Sequence, residues 1–408
     1  MYSRDKIVTI DKIYIWTFLF AFTMFIYYTF ESYYIGEISR YMNIDIADSS
    51  ETLKSYSRLI LIITSLLFFH RKNSINSLTF LGKTLLIFSI YLFMSNLMLK
   101  DFSHPMYYIS TYTMSSVWIY IYLFFYTVSL RYDIDKYIPK FIIIFAIISA
   151  ILFIKNYLSN NAIGFTDWHY IESYFLITLF PAIILLKDKH KYALILLVII
   201  CSIISGKRTG FITCVVSIVL YTLIIGRNLS KKIQTIFWGT IILFTLYFAL
   251  NQFIGDKIDI VIERIANIKE DDGSGRGEMY TDMYRLITEN EDTNSFIFGK
   301  GYNEVINSKM SNGFSAHNEF IETAYDFGIL GLLIFLIIFM AIIRLYYKTK
   351  IRKEKVAVLL SLMIFTIFSI TSHTILYTTN IVFLCMTWGY FDAQYINYKR
   401  NKNIKHFA

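Results

Sequence analysis

The sequence predicts an all-α polytopic membrane protein of about twelve transmembrane helices, a single integral membrane domain over residues 1–408. Three observations carry that expectation. Of 408 residues, 56% are hydrophobic and only 17% charged, whereas soluble domains carry roughly a quarter charged residues. Apolar stretches long enough to cross about 30 Å of hydrocarbon as helix recur along the whole chain. The Lys and Arg residues are also segregated between alternate connections.

Taken in order, the apolar stretches are 13–30, 57–70, 78–98, 107–130, 138–157, 171–186, 192–206, 208–226, 233–254, 320–343, 356–372 and 374–391. The first follows Arg4, Lys6 and Lys12 but precedes no small-residue cleavage site, so it reads as a span and not as a removable signal. Span three contains Lys83, the cation placed furthest from the end of a predicted span. Two connections are long. Residues 31–56 are acidic and polar, and 255–319 form one large extracytoplasmic loop rich in Gly, Asp, Glu and Asn. Loops of that length are usually functional or disordered. Within the second, Met279, Met283 and Leu286 have helical spacing, which predicts an amphipathic helix lying on the membrane surface.

The charges test this list. With the N-terminus inside, the inner segments hold 24 Lys and Arg against 7 Asp and Glu, and the outer ones 14 against 23, Lys83 aside. Such a distribution predicts both termini in the cytoplasm. The net charge of +9, which in a soluble protein would point to nucleic acid, is accounted for by membrane topology, and no nucleic-acid partner is implied. Cys201, Cys214 and Cys385 lie in apolar segments without CxxC or Cys/His spacing, so neither a disulfide framework nor a zinc site is expected. The chain shows no internal repeat, which weakens a transporter or flippase reading.

One short outer connection breaks the charge pattern: Ser205-Gly206-Lys207-Arg208-Thr209-Gly210. Its two cations could snorkel to lipid headgroups. Alternatively they form an anion site, in which glycines allow a tight turn, the start of span eight directs N–H groups outward, and Arg208 makes a two-pronged bond to a diphosphate. The large loop adds Asp272-Gly273-Ser274-Gly275-Arg276-Gly277-Glu278, which reads as a solvated turn or as a second anion-binding Arg. Phe298-Gly299-Lys300-Gly301-Tyr302 reads as a tight turn and lacks the context of a nucleotide loop. The loop closes on His317-Asn318-Glu319, at the same face as the two arginines. His373 is the main rival to His317, while the other histidines read as interfacial. No metal site is expected: there is no HExxH pattern, and Asp45/Asp48 and Asp271/Asp272 are incomplete ligand sets.

SGKRTG opening a span, then GRGEMYTDMYRLI, FIFGKGYNEV and SAHNEFIETAYDFGILGLLIFLIIF, in this order over roughly 200–343, resemble the O-antigen ligase and polymerase superfamily of bacterial envelopes, the Wzy and WaaL type. The most specific element is His317-Asn318 followed by Asp326 to Leu332. The family usually has a small residue where Lys207 stands and commonly Glu where Asp326 stands. The resemblance implies a glycosyltransferase of the GT-C type in the bacterial inner membrane, with part of its active site in 255–319. It implies an undecaprenyl-diphosphate-linked glycan as donor, and a lipid-linked repeat unit or lipid A core as acceptor. Carried over, Arg208 and Arg276 match the phosphate-binding arginines and His317 the catalytic histidine. Gly206, Lys207, Arg285 and Asn318 are expected to contact substrate, Arg285 without a clear counterpart. No cofactor is implied. The expected surroundings are membrane lipids and, as partners, a chain-length regulator and a flippase of the same pathway.

Overall fold

The structure is a computed structural model that describes residues 4–42, 49–73, 75–97, 105–132, 134–135, 137–162, 173–205, 207–225, 230, 233–234, 272–289, 292–307, 316–372 and 380–407. Among them secondary structure is helical throughout. Seven helices are long and apolar enough to cross a membrane, with windows Asp11–Phe30, Thr52–Lys72, Phe80–Leu97, Tyr108–Arg131, Ile138–Ser159, Gly328–Lys348 and Arg352–Thr371. They belong to α1 (Arg4–Met42), α2 (Ser49–Lys72), α3 (Phe80–Leu97), α4 (Pro105–Arg131), α5 (Ile138–Ala162), α13 (Gly328–Lys348) and α14 (Arg352–Thr371). Between α5 and α13 come α6 (Ser173–Ile183), α7 (Asp188–Ile204), α8 (Arg208–Ile225), α9 (Asp272–Thr288), α10 (Thr293–Phe298), α11 (Glu304–Asn307) and α12 (Glu319–Asp326), and α15 (Val382–Phe407) ends the chain.

Four sequence expectations need correction. The acidic connection 31–56 is largely helix, because α1 continues to Met42 and α2 begins at Ser49. Within the stretch 171–186 the helix α6 ends at Ile183 and is buried throughout its described residues. The stretch 320–343 is two helices, since α12 ends at Asp326 and α13 begins at Gly328. Lys83 stands in the first turn of α3, exposed, where its side chain can reach an interface. Predicted span nine (233–254) lies almost wholly outside the described residues, so the expectation of twelve is met as an all-α polytopic architecture and not as a count.

The centre is α4, whose spanning window is 94% buried. It packs against α2, α3 and α15, with Phe18 of α1 stacked on Phe124 at 3.6 Å between ring centroids. Inside a bilayer, packing and hydrogen bonds hold helices together more than the hydrophobic effect does. The many Ser and Thr residues in these apolar segments therefore need partners. Ser65, Thr127, Ser217 and Thr387 each donate to the carbonyl four residues earlier, at 2.6, 2.8, 2.6 and 2.7 Å, as hydroxyls in membrane helices commonly do.

One end of the bundle gathers the basic segments. Asp11 is 5% exposed and pairs with Lys72 at 2.6 Å and Arg71 at 3.4 Å. Gln394 donates to Asp135 at 2.6 Å, Arg352 to the Ile224 carbonyl at 2.6 Å, and Lys353 to the Leu185 carbonyl at 2.9 Å. Every one of these residues comes from, or borders, a segment that the charge count assigns to a single face. Contacts between distant parts of the chain thus gather these segments at one end of the bundle.

Candidate functional site

The site elements lie at the opposite end. The Arg352 bond to Ile224 makes α8 and α14 antiparallel, so Arg208 at the head of α8 lies beside the Thr371 end of α14. The turn before it is built locally. Ser205 N–H donates to the Cys201 carbonyl at 3.0 Å, its hydroxyl to the Ser202 carbonyl at 2.8 Å, and the Lys207 carbonyl accepts from Phe211 N–H at 3.1 Å. Arg208 is thereby the first residue of an 18-residue helix, whose first-turn N–H groups and dipole favour an anion. Lys207 and Arg208 are both half-buried. Gly206 lies outside the described residues.

The bend at Phe327–Gly328 folds α12 back along α13. Phe320 lies 5.4 Å from Phe335 and 5.6 Å from Phe339 between ring centroids, and Phe339 lies 4.5 Å from Phe365 of α14. Phe335 and Phe339 stand seven and eleven residues into α13, about 10–16 Å along its axis. The N-terminus of α12, with His317 and Asn318, is therefore sunk into the bundle, where the sequence placed it in a surface loop.

Gly328, at φ 67°, makes this bend. A Cβ there would meet the Ile297 carbonyl oxygen at 2.3 Å, and one on Gly299, at φ 84°, would meet the Asp326 carbonyl oxygen at 2.2 Å. The two backbones touch, so the tight turn predicted from Gly299 and Gly301 is locked against the α12–α13 bend. Asp326 completes the lock. It is fully buried, and its carboxylate accepts from Asn303 N–H at 2.7 Å and Val305 N–H at 3.1 Å. Tyr91 of α3 donates to the Phe327 carbonyl at 2.5 Å. Burial, and next the neighbouring Glu322, push the Asp326 carboxyl well above the usual range, against the two backbone N–H groups.

His317 has φ 52°, a left-handed conformation that costs a non-glycine residue about 1–2 kcal/mol. Three hydrogen bonds hold it there. The Asn318 side-chain oxygen accepts from Phe320 N–H at 3.0 Å and Ile321 N–H at 3.3 Å, and buried Glu322 accepts from His317 N–H at 3.1 Å. This arrangement is close to a capping box. It identifies Asn318 as a helix cap where the sequence offered a substrate contact.

The glycine-rich stretch around Arg276 is the start of helix α9 and not a turn; of 272–278 only the backbone is described. The amphipathic helix is present, and its apolar face packs against other parts of the chain. Met283, with Met279 and Leu286 beside it, packs against Val305, Ala316, Ile321 and Tyr325. Arg276 stands three and seven residues before Met279 and Met283, in register with that stripe. Arg285 turns away from it: its side chain is 61% exposed and lies 3.9 Å from Asp282, so it does not converge on the site.

Sequence reasoning missed Glu322 and Asp326 as builders of the site. The signal was present, since with Glu319 they recur at i, i+3 and i+7 and so share one face of α12. Among the described residues no three His, Cys, Asp or Glu side chains group as metal ligands. Asp45, Asp48, Asp271, the Asp272 side chain and His373 lie outside those described.

Fold and site define an all-α polytopic membrane protein with a helix turned back into its bundle at one end. Residues 193–336 match the protein-family model Wzy_C, described as O-antigen ligase, so this segment is similar to a family of glycosyltransferase-like ligases and polymerases. The matched stretch contains Arg208, Arg276, Asp326 and His317. No curated protein matches the chain.

Proposed function

We propose that this chain is a polysaccharide repeat-unit polymerase, transferring an undecaprenyl-diphosphate-linked glycan onto a lipid-linked acceptor to extend O-antigen, capsule or a related surface polymer. The observation that carries this reading is the strained His317 at the sunken N-terminus of α12, within the segment matching the O-antigen ligase family. In the reaction, the bond from the sugar's anomeric carbon to the diphosphate breaks as the acceptor hydroxyl oxygen bonds to that carbon. The hydroxyl proton passes to the His317 imidazole, the type of side chain that most often serves as a general base. Undecaprenyl diphosphate leaves, and the Arg208 and Arg276 guanidinium groups balance its developing charge. A divalent cation is not required by this scheme.

The second reading is ligation to lipid A core, favoured by the ligase description of the matched family. Both share the donor chemistry and differ in the acceptor. Reconstitution of the purified protein with a lipid-linked repeat unit, with and without lipid A core, decides between them: polymerase activity lengthens diphosphate-linked chains in the absence of lipid A. Glycosylation of lipid A alone would assign the ligase, and neither product would remove the proposal.

A further inference from the structure

The basic end of the bundle holds a feature that glycan transfer does not use. Where the end of α13 faces α15, a cavity of about 440 Å³ is lined by Met340, Arg344, Tyr347, Lys348, Lys350 and Tyr395, among others. The cations have aromatic neighbours: Lys348 Nζ lies 5.0 Å from the Tyr395 ring centroid and the Arg344 guanidinium 5.0 Å from that of Phe80. Among the described residues none of the three cations is ion-paired. Asp392, the one carboxylate whose charge acts on Lys348, is buried and accepts from Tyr122 at 2.5 Å and from Thr79.

The face leading to this cavity is apolar and uncovered. Leu333, Ile337 and Met340 are 50%, 43% and 61% exposed, at steps of four and three residues that continue to Arg344 and Tyr347. One stripe of α13 therefore carries a hydrocarbon track ending in clustered positive charge, with tyrosines at the boundary where they favour a membrane interface. A free phosphate would use only the charged end of this surface, whereas an anionic phospholipid matches all of it. We propose that this cavity binds the phosphate of an anionic phospholipid, with an acyl chain lying along Leu333, Ile337 and Met340. Basic pockets between transmembrane helices recognise such headgroups by the same chemistry.

The test titrates the full-length protein in neutral detergent with phosphatidylglycerol and with phosphatidylcholine of the same chains, counting bound lipid by native mass spectrometry. Each cation at an anionic headgroup contributes roughly a fivefold factor. The R344Q/K348Q/K350Q variant should therefore lose roughly 100-fold in phosphatidylglycerol affinity and keep its phosphatidylcholine binding. The exposed cations Lys140, Lys187 and Lys189, each replaced by Gln, serve as the control and should change neither. If the triple variant cannot be purified, Lys350→Gln alone decides, through a roughly fivefold loss. An unchanged preference for phosphatidylglycerol, an equal loss in the control, or equal competition by inorganic phosphate would each overturn the proposal.

Discussion

Replacing Asp326 by Ala tests whether the turn at 299–305 is held by one buried carboxylate. The substitution removes the acceptor from two backbone N–H groups, those of Asn303 at 2.7 Å and Val305 at 3.1 Å. A buried donor left without a partner costs about 1–3 kcal/mol, so the pair costs about 2–6 kcal/mol of local stability by that figure. The backbone bond from Gly301 N–H to the Asp326 carbonyl, at 2.8 Å, survives the change, so the damage should be local. Hydrogen exchange read on peptides covering 299–307 should accelerate roughly 30-fold or more, at about 1.4 kcal/mol per decade, with α4 and α15 unchanged. Unaltered exchange at these amides would refute the assignment. The carboxyl also gives a pH signature. Its folded pKa lies above the unfolded value because of burial and Glu322, so the folded state holds the proton more tightly. That contribution is fully present below the unfolded pKa of about 3.9 and is lost as pH rises through the raised folded value. Asp326→Asn has no such proton, so its Tm should decline less with rising pH than that of the unaltered protein. Parallel Tm profiles would contradict a raised pKa.

Gly328→Ala places a methyl 2.3 Å from the Ile297 carbonyl oxygen in a left-handed backbone and should lower Tm by several degrees, whereas an unchanged Tm would mean the bend is made elsewhere. His317→Ala should lower kcat at least tenfold, a modest share of what a proton-transfer group usually contributes, with little change in donor KM; an unchanged kcat returns the histidine to a structural role. Arg208→Ala should abolish polymer while the protein stays in the membrane, and a full-length polymer ladder would end the diphosphate assignment. Arg285→Ala, at an exposed pair 3.9 Å from Asp282, should change stability by at most about 0.5 kcal/mol and leave activity intact, as measured by Tm and chain length.

The bundle was legible in the sequence because hydropathy and charge are one-dimensional signals. The sides assigned to Asp11, Lys72 and Arg352 follow from counting Lys and Arg, and the same segments meet in space. The stripe of Met279, Met283 and Leu286 was legible as a helix face, but what covers it was not, since Val305 and Tyr325 belong to other segments. The reversal at Gly328 was hidden because Glu319–Asp326 and Gly328–Lys348 together look like one apolar run. A hydropathy window does not see a single positive φ. Asp326 was noted as a departure from a family pattern, yet its role depends on the N–H groups of Asn303 and Val305, more than twenty residues upstream, which no local pattern reveals.

The sunken helix also explains why two carboxylates, Glu322 and Asp326, stand in a segment read as membrane-spanning, with a third, Glu319, at its border. A buried polar group is costly unless it is hydrogen-bonded, so burying Glu319, Glu322 and Asp326 completely would make little sense for a helix whose only task is to cross. Two of them accept from backbone outside α12: Glu322 from His317, and Asp326 from Asn303 and Val305. The first ties the backbone at His317 to the helix end that enters the bundle, and the other two tie 303–305 to the opposite end of α12, at the bend. Non-helical backbone at membrane depth persists only where protein or an aqueous cavity satisfies it, and these carboxylates supply that satisfaction. The left-handed conformation of His317 is thus sustained from inside α12. In the proposed reaction, its imidazole is positioned by a rigid cap and not by a loop that must be ordered at each turnover.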